Sequence, residues 1–110
     1  MKIITKKQER KNVIEDCWSL DFSLILWLNK HLKVYLEQAE KYIKMDEPMF
    51  TYKRKKYTHK QIVERLIELT DFLSVEDNYF SFDKDDVEKM ENYKNEMYDL
   101  LKECHFTMWI

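Results

Sequence analysis

The chain has 110 residues, 45% of them hydrophobic and 36% charged, enough for one domain with a packed core and far from a disordered profile. It contains no glycine and one proline, Pro48, which excludes Gly-rich phosphate loops of both the P-loop and dinucleotide type, and the hydrolase nucleophile elbow. The net charge of −2 is lopsided: 14 Lys/Arg against 8 Asp/Glu (+6) in residues 1–60, and 5 against 13 (−8) in residues 61–110. Such a layout can steer a charged partner, hold the two halves of one molecule together, or pair two copies head to tail.

Thr5-x-x-Gln8 is a capping-box pattern and predicts a helix start. The segment it opens carries Lys6, Lys7, Arg10 and Lys11 before any apolar residue appears at Val13, Ile14, Cys17 and Trp18. In "CWSLDFS" Ser19 or Asp21 offers a second start, leaving open whether there are two helices or one bent one. From about Leu20 to Met45 the helical signal is strong, with Leu32, Tyr35, Leu36, Ala39, Tyr42 and Ile43 on one stripe. Leu24, Ile25, Leu26, Trp27 and Leu28 are consecutive and go round the whole helix. That segment is expected either to run through the middle of the domain, around Trp27, or to meet another chain.

Pro48 is expected to end this helix. Phe50, Tyr52 and Tyr57 flank Lys53, Arg54, Lys55 and Lys56 in a pattern that predicts a small two-stranded hairpin. Thr58-x-x-Gln61 is a second capping box, and Ile62, Leu66, Leu69 and Leu73, widened by Val63, Ile67 and Thr70, form the stripe of the helix it opens. "SVEDNYFSFD" reads as a connector. Asp83 caps the last helix, with Asp85, Asp86 and Glu88 in the first turns where the dipole favours them. Its inner stripe is Val87, Met90, Tyr93, Met97, Leu101 and Cys104, and its outer face carries Glu88, Glu91, Glu96, Asp99 and Glu103. Phe106, Met108, Trp109 and Ile110 follow. Full burial of such side chains contributes roughly 1.5–3 kcal/mol each, so the tail is expected to dock, near Trp18 and Trp27 or in another subunit. The fold expected is mainly α: one helical domain, a small bundle of three to four helices with a short β-hairpin insertion.

The pattern argues against most chemistries. His31 and His59 have no ligand-type neighbour in sequence, Cys104 and His105 point apart on a helix, and HExxH, CxxC and Asp-rich loops are absent, so neither a metal nor a cofactor is expected. Cys17 and Cys104 read as buried thiols in a reducing cytoplasm, and nothing selects a Cys–His dyad. The longest apolar run, Leu24 to Leu28, is far short of the roughly 20 residues that span a bilayer. What remains is surface. The basic hairpin (Tyr52, Lys53, Arg54, Lys55, Lys56, Tyr57), the acidic helix face (Glu88, Glu91, Glu96, Asp99, Glu103) and an apolar set (Leu26, Trp27, Phe106, Met108, Trp109, Ile110) are the candidate partner-binding and oligomer surfaces.

The hairpin-to-helix passage "FTYKRKKYTHKQIVERLIELTD", the passage "CWSLDF" and the ending "MWI" resemble small accessory proteins encoded in bacteriophage genomes of Gram-positive hosts. The resemblance carries no activity and no residue assignments. It implies binding and disabling of a host or defence protein, of the anti-CRISPR or another anti-defence type, in the cytoplasm of a bacterial cell. The expectation is therefore a non-enzymatic protein-binding protein with a host or defence protein as partner, and a homodimer as one of its forms. The alternative is a small nucleic-acid-binding factor using Lys53 to Lys56.

Overall fold

In the computed structural model, which describes residues 5–108 apart from the side chain of Phe106, five helices and one hairpin follow in order. They are α1 (Lys6–Cys17), α2 (Leu20–Tyr42), β1 (Pro48–Tyr52), β2 (Lys55–Thr58), α3 (His59–Leu73), the single turn α4 (Glu76–Tyr79) and α5 (Lys84–Cys104), closed by a 3₁₀ turn, His105–Thr107. The mainly α architecture with one short hairpin is that expected from the periodicity.

Helix α3 is the centre of the molecule, because its apolar stripe is wide enough to be covered from two sides. Its start is fixed by a complete capping box: Thr58 Oγ1 accepts from Gln61 N at 3.0 Å and Gln61 Oε1 accepts from Thr58 N at 2.9 Å. Ile62, Val63, Leu66, Leu69, Thr70 and Leu73 are all fully buried. Helix α2 packs against α3 with Ile25, Leu32 and Ala39, and α5 packs against it with Met97, Leu100 and Cys104. The hairpin adds Phe50 and the loop before it adds Met45.

Polar side chains tie the layers at their edges. Asn29 Nδ2 donates to Thr70 Oγ1 and to Asp71 Oδ1, each at 2.9 Å, and Lys33 pairs with Asp71 at 2.8 Å across the α2–α3 seam. Across the α3–α5 seam, Arg65 grips Glu96 with two bonds of 2.6 and 3.0 Å. The fork geometry of a guanidinium on a carboxylate fixes the register of the two helices as well as their distance.

Several expectations are corrected here. Helix α2 ends at Tyr42, before Pro48, because Ile43 turns extended (φ −132°, ψ 156°) and brings Met45 inward, where its carbonyl accepts from Lys60 N at 3.0 Å. Tyr42 is left exposed, and Pro48 opens the hairpin instead. On α5 it is Leu100, at spacings of three and four from Met97 and Cys104, that faces α3, so Leu101 is turned to the flank and only half-buried. The connector is not wholly irregular: α4 stacks Tyr79 and Phe80 on Phe22 at ring distances of 5.2 and 5.1 Å.

The amino-terminal region is two helices. Thr5 Oγ1 accepts from Gln8 N at 3.2 Å and caps α1, while the Gln8 side chain reaches forward to Asn12 at 3.0 Å instead of back. Trp18 is extended and Ser19 is left-handed (φ 54°), and Ser19 makes no side-chain capping bond to α2. No residue of α1 is buried. The molecule is consequently flat and extended, 45 × 44 × 18 Å with a radius of gyration of 16.1 Å, against about 13 Å for a compact domain of this length.

Candidate functional site

The outer side of α2 is the feature that a packed monomer does not explain. Ile25 and Leu32 point into the core, while Leu20, Leu24, Trp27, His31 and Val34 recur at spacings of four and three on the opposite side, all exposed. Trp27 is 57% exposed, so the expectation of helices closing around it is overturned. The helix is a flanking layer over α3, and among the described residues its far side has no layer above it. The five consecutive apolar residues 24–28 thus divide: Ile25 is buried, Leu28 half-buried, and Leu24, Leu26 and Trp27 open to solvent.

This side forms one wall of an open cleft of about 400 Å³ at the α1–α2 corner, lined by Leu20, Leu24 and Trp27 with Asp16, Lys30 and His31 at its margins. Part of its lining is ordered by a local stack. The His31 ring lies on Trp27 at 3.9 Å, and His31 Nδ1 donates to the Trp27 carbonyl at 2.7 Å, one helical turn back. A flat aromatic pair is thereby held on the surface at little further entropic cost. Leu20, His31 and Val34 are not among the surfaces expected from the sequence, although their four–three spacing with Leu24 and Trp27 is legible there.

The hairpin forms as expected, with Tyr52 opposite Lys55 across a two-residue loop. Lys53 and Arg54 both have positive φ, 50° and 67°. That is the pattern of a type I′ turn, which normally selects Asn-Gly. Lys53, Arg54, Lys55 and Lys56 are exposed, and the Lys53 and Lys55 ammonium groups lie 5.4 and 5.3 Å from the Tyr52 and Tyr57 rings. The hairpin is not isolated from the acidic half. Tyr52 Oη donates to Asp99 Oδ2 at 3.1 Å, and desolvation together with this bond pushes the Tyr52 hydroxyl up to about 12.

The acidic residues of α5 do not form one free row. Glu96 is engaged by Arg65, Asp99 by Tyr52, and Glu91 by Lys94 at 2.9 Å, whereas Glu88 and Glu103 are exposed. Two of the five carboxylates therefore serve as seam contacts and a third is paired within its own helix, which breaks the row that would imitate phosphates.

At the carboxyl end, Met108 packs on the core and Tyr35 Oη donates to the Thr107 carbonyl at 3.5 Å while lying 3.2 Å from His59 Nε2. This links α2, α3 and the last turn. Trp109, Ile110 and the Phe106 side chain lie outside the described residues. The partner surfaces near Trp18 and Trp27 do not receive the tail's described part: Trp18 is 79% exposed. Of the two thiols only Cys104 is buried, and burial pushes it up to about 12, which keeps it protonated. Cys17 is exposed, correcting its reading as a core residue, because α1 has no core to join. Among the described residues no group of three His, Cys, Asp or Glu could hold a metal ion, and no helix is long and apolar enough to cross a membrane. No protein-family model, curated protein or solved structure matches this chain.

Proposed function

We propose that this chain is a non-enzymatic protein-binding accessory protein whose working surface is the apolar face left open by α1 and α2. The observation that carries this reading is the exposure of Leu20, Leu24, Trp27 and Val34 along one side of a helix whose other side is buried. Contiguous apolar patches beyond a few hundred Å² mark interaction sites on soluble proteins. The ordered Trp27–His31 pair suits an anchor, since tryptophan is prominent among residues that dominate binding energy. The resemblance to small phage accessory proteins supplies the setting: a host enzyme or defence protein as partner, its inhibition as the outcome, and the bacterial cytoplasm as the place.

Affinity capture from a lysate of a Gram-positive host, with and without nuclease, tests the reading. One protein is expected to be retained by the wild type, lost with Leu24→Glu, indifferent to nuclease, and bound again when purified. A wild type that retains nothing the Leu24→Glu variant does not would refute it.

One observation favours a second reading, nucleic-acid binding at Lys53 to Lys56. Two long cationic residues occupy left-handed positions that Asn-Gly would fill with less strain, and strained positions tend to be kept where they serve a function. Against it, the basic tip is anchored beside Asp99 and Glu96, whose charge opposes a polyanion. Salt-dependent retention of DNA or RNA that vanishes when all four residues are made Ala would establish this second reading.

A further inference from the structure

The four–three spacing on α2 does not begin at α2. Val13, Cys17, Leu20, Leu24, Trp27, His31 and Val34 alternate by four and three over three heptads, the a/d pattern of a coiled-coil seam. All seven are exposed. The register passes unbroken through Trp18 and Ser19, where the backbone leaves the helix. Residues outside a helix do not keep its phase, so this pattern becomes one stripe only if the chain is helical through the junction.

The junction itself is poorly satisfied. Ser19 holds a left-handed conformation, which costs a non-glycine residue roughly 1–2 kcal/mol. It does not cap α2. Glu15 and Asp16 end α1, where the negative pole of the helix dipole disfavours them, and no basic residue stands in that turn. In a continuous helix these costs disappear. Trp18 would then stand one heptad before Ile25, on the face that buries Ile25, Leu32 and Ala39.

We propose that α1 and α2 join into a single helix from Lys6 to Tyr42, and that a second copy of this chain packs along its heptad seam. The proposal rests on the protein-binding reading above only in taking this face as the working surface, and makes a second copy its resting occupant, which a host protein would have to displace. A heptad seam is complementary to another helix of the same repeat, and a second copy brings one of equal length, about 32 Å from Val13 to Val34 at 1.5 Å per residue. The stripes of α3 and α5 are already buried and cannot supply it from within. The area agrees as well. The apolar seam residues Val13, Leu20, Leu24, Trp27 and Val34 are 48–59% exposed. At roughly 180 Å² for a whole large apolar residue they offer on the order of 500 Å² per copy, so that two copies reach the roughly 1,000 Å² in total that a specific interface needs.

Sedimentation velocity of the full chain from about 1 to 100 µM, with hydrogen exchange on the same samples, tests this. Expected is a monomer–dimer equilibrium in which Val13→Glu and Leu24→Glu each weaken association at least about tenfold. Val13 lies on a helix with no buried residue, so this substitution does not endanger the fold. Ser19→Gly, which favours the left-handed form, is expected to weaken association and Ser19→Ala to strengthen it. Amide protection at Leu20, Asp21 and Phe22 rises with dimerisation, as does protection of the Cys17 thiol from alkylation. A chain that stays monomeric throughout overturns the proposal, and so does a dimer indifferent to Val13→Glu. A monomer that still captures a host protein through Leu24 refutes the second copy alone and leaves the protein-binding reading standing.

Discussion

Replacing Lys53-Arg54 by Asn-Gly is expected to stabilise the protein, which makes the hairpin tip its most instructive single site. Both residues hold positive φ in a two-residue loop between Tyr52 and Lys55. The left-handed region costs a residue with a Cβ roughly 1–2 kcal/mol, so the wild-type turn carries about 2–4 kcal/mol of strain. Asparagine tolerates the region better and glycine occupies it freely, but glycine gives back about 0.5–1 kcal/mol in chain entropy. Loss of the exposed Lys53–Tyr52 contact removes about 0.5 kcal/mol more. A net gain of about 1 kcal/mol remains. It corresponds to a rise in Tm of roughly 4–8 °C in a domain near this size. Urea unfolding followed by circular dichroism should show a higher midpoint with an unchanged slope. An equal or lower midpoint at the same slope would mean that the turn is unstrained and that the argument from φ is wrong. The double variant also removes two of the four clustered cations, so any binding of nucleic acid there should lose about two units of salt dependence.

Leu66→Ala, at a fully buried position on α3, should destabilise by about 2–5 kcal/mol in the same assay, enough to unfold much of the population of a marginal domain. His59 is buried and its pKa is lowered by burial from the ordinary 6.5, so the unfolded chain binds the proton more readily. Stability should therefore hold above about pH 6.5 and decline as pH falls below it, and His59→Gln should reduce that slope. In dilute native protein, iodoacetamide should modify Cys17 rapidly and leave Cys104 untouched until unfolding, as mass spectrometry of the two peptides can show.

The helices with conventional punctuation are readable from the chain alone. Thr58 with Gln61, and Asp83 before Asp85 and Asp86, mark starts that the backbone uses as written. The hairpin was legible from alternation of aromatics with polar residues, though not its turn, since Lys-Arg is an unusual choice for two left-handed positions. The break at Ser19 was legible only as one of two alternatives, because a serine there serves equally as cap or helix interior. Periodicity identifies apolar faces without saying what covers them. Residues 24–28 predicted burial all round, inside the domain or against another chain, and within one chain the fold buries one side only, since α2 is an outer layer. The acidic stripe of α5 misled in the opposite way: charge spacing shows where carboxylates stand, but not that Arg65 and Tyr52 meet Glu96 and Asp99 from elsewhere in the chain.

The placement of α3 bears on how the polypeptide reaches its final form. One of its flanks is supplied by residues that precede it and the other by residues that follow, so neither half can close over Leu66 and Leu69 unaided. A nascent chain emerging from the ribosome must hold this stripe uncovered until α5 is made. Splitting the gene anywhere between Leu73 and Lys84 should yield two fragments that are insoluble singly and fold only when mixed.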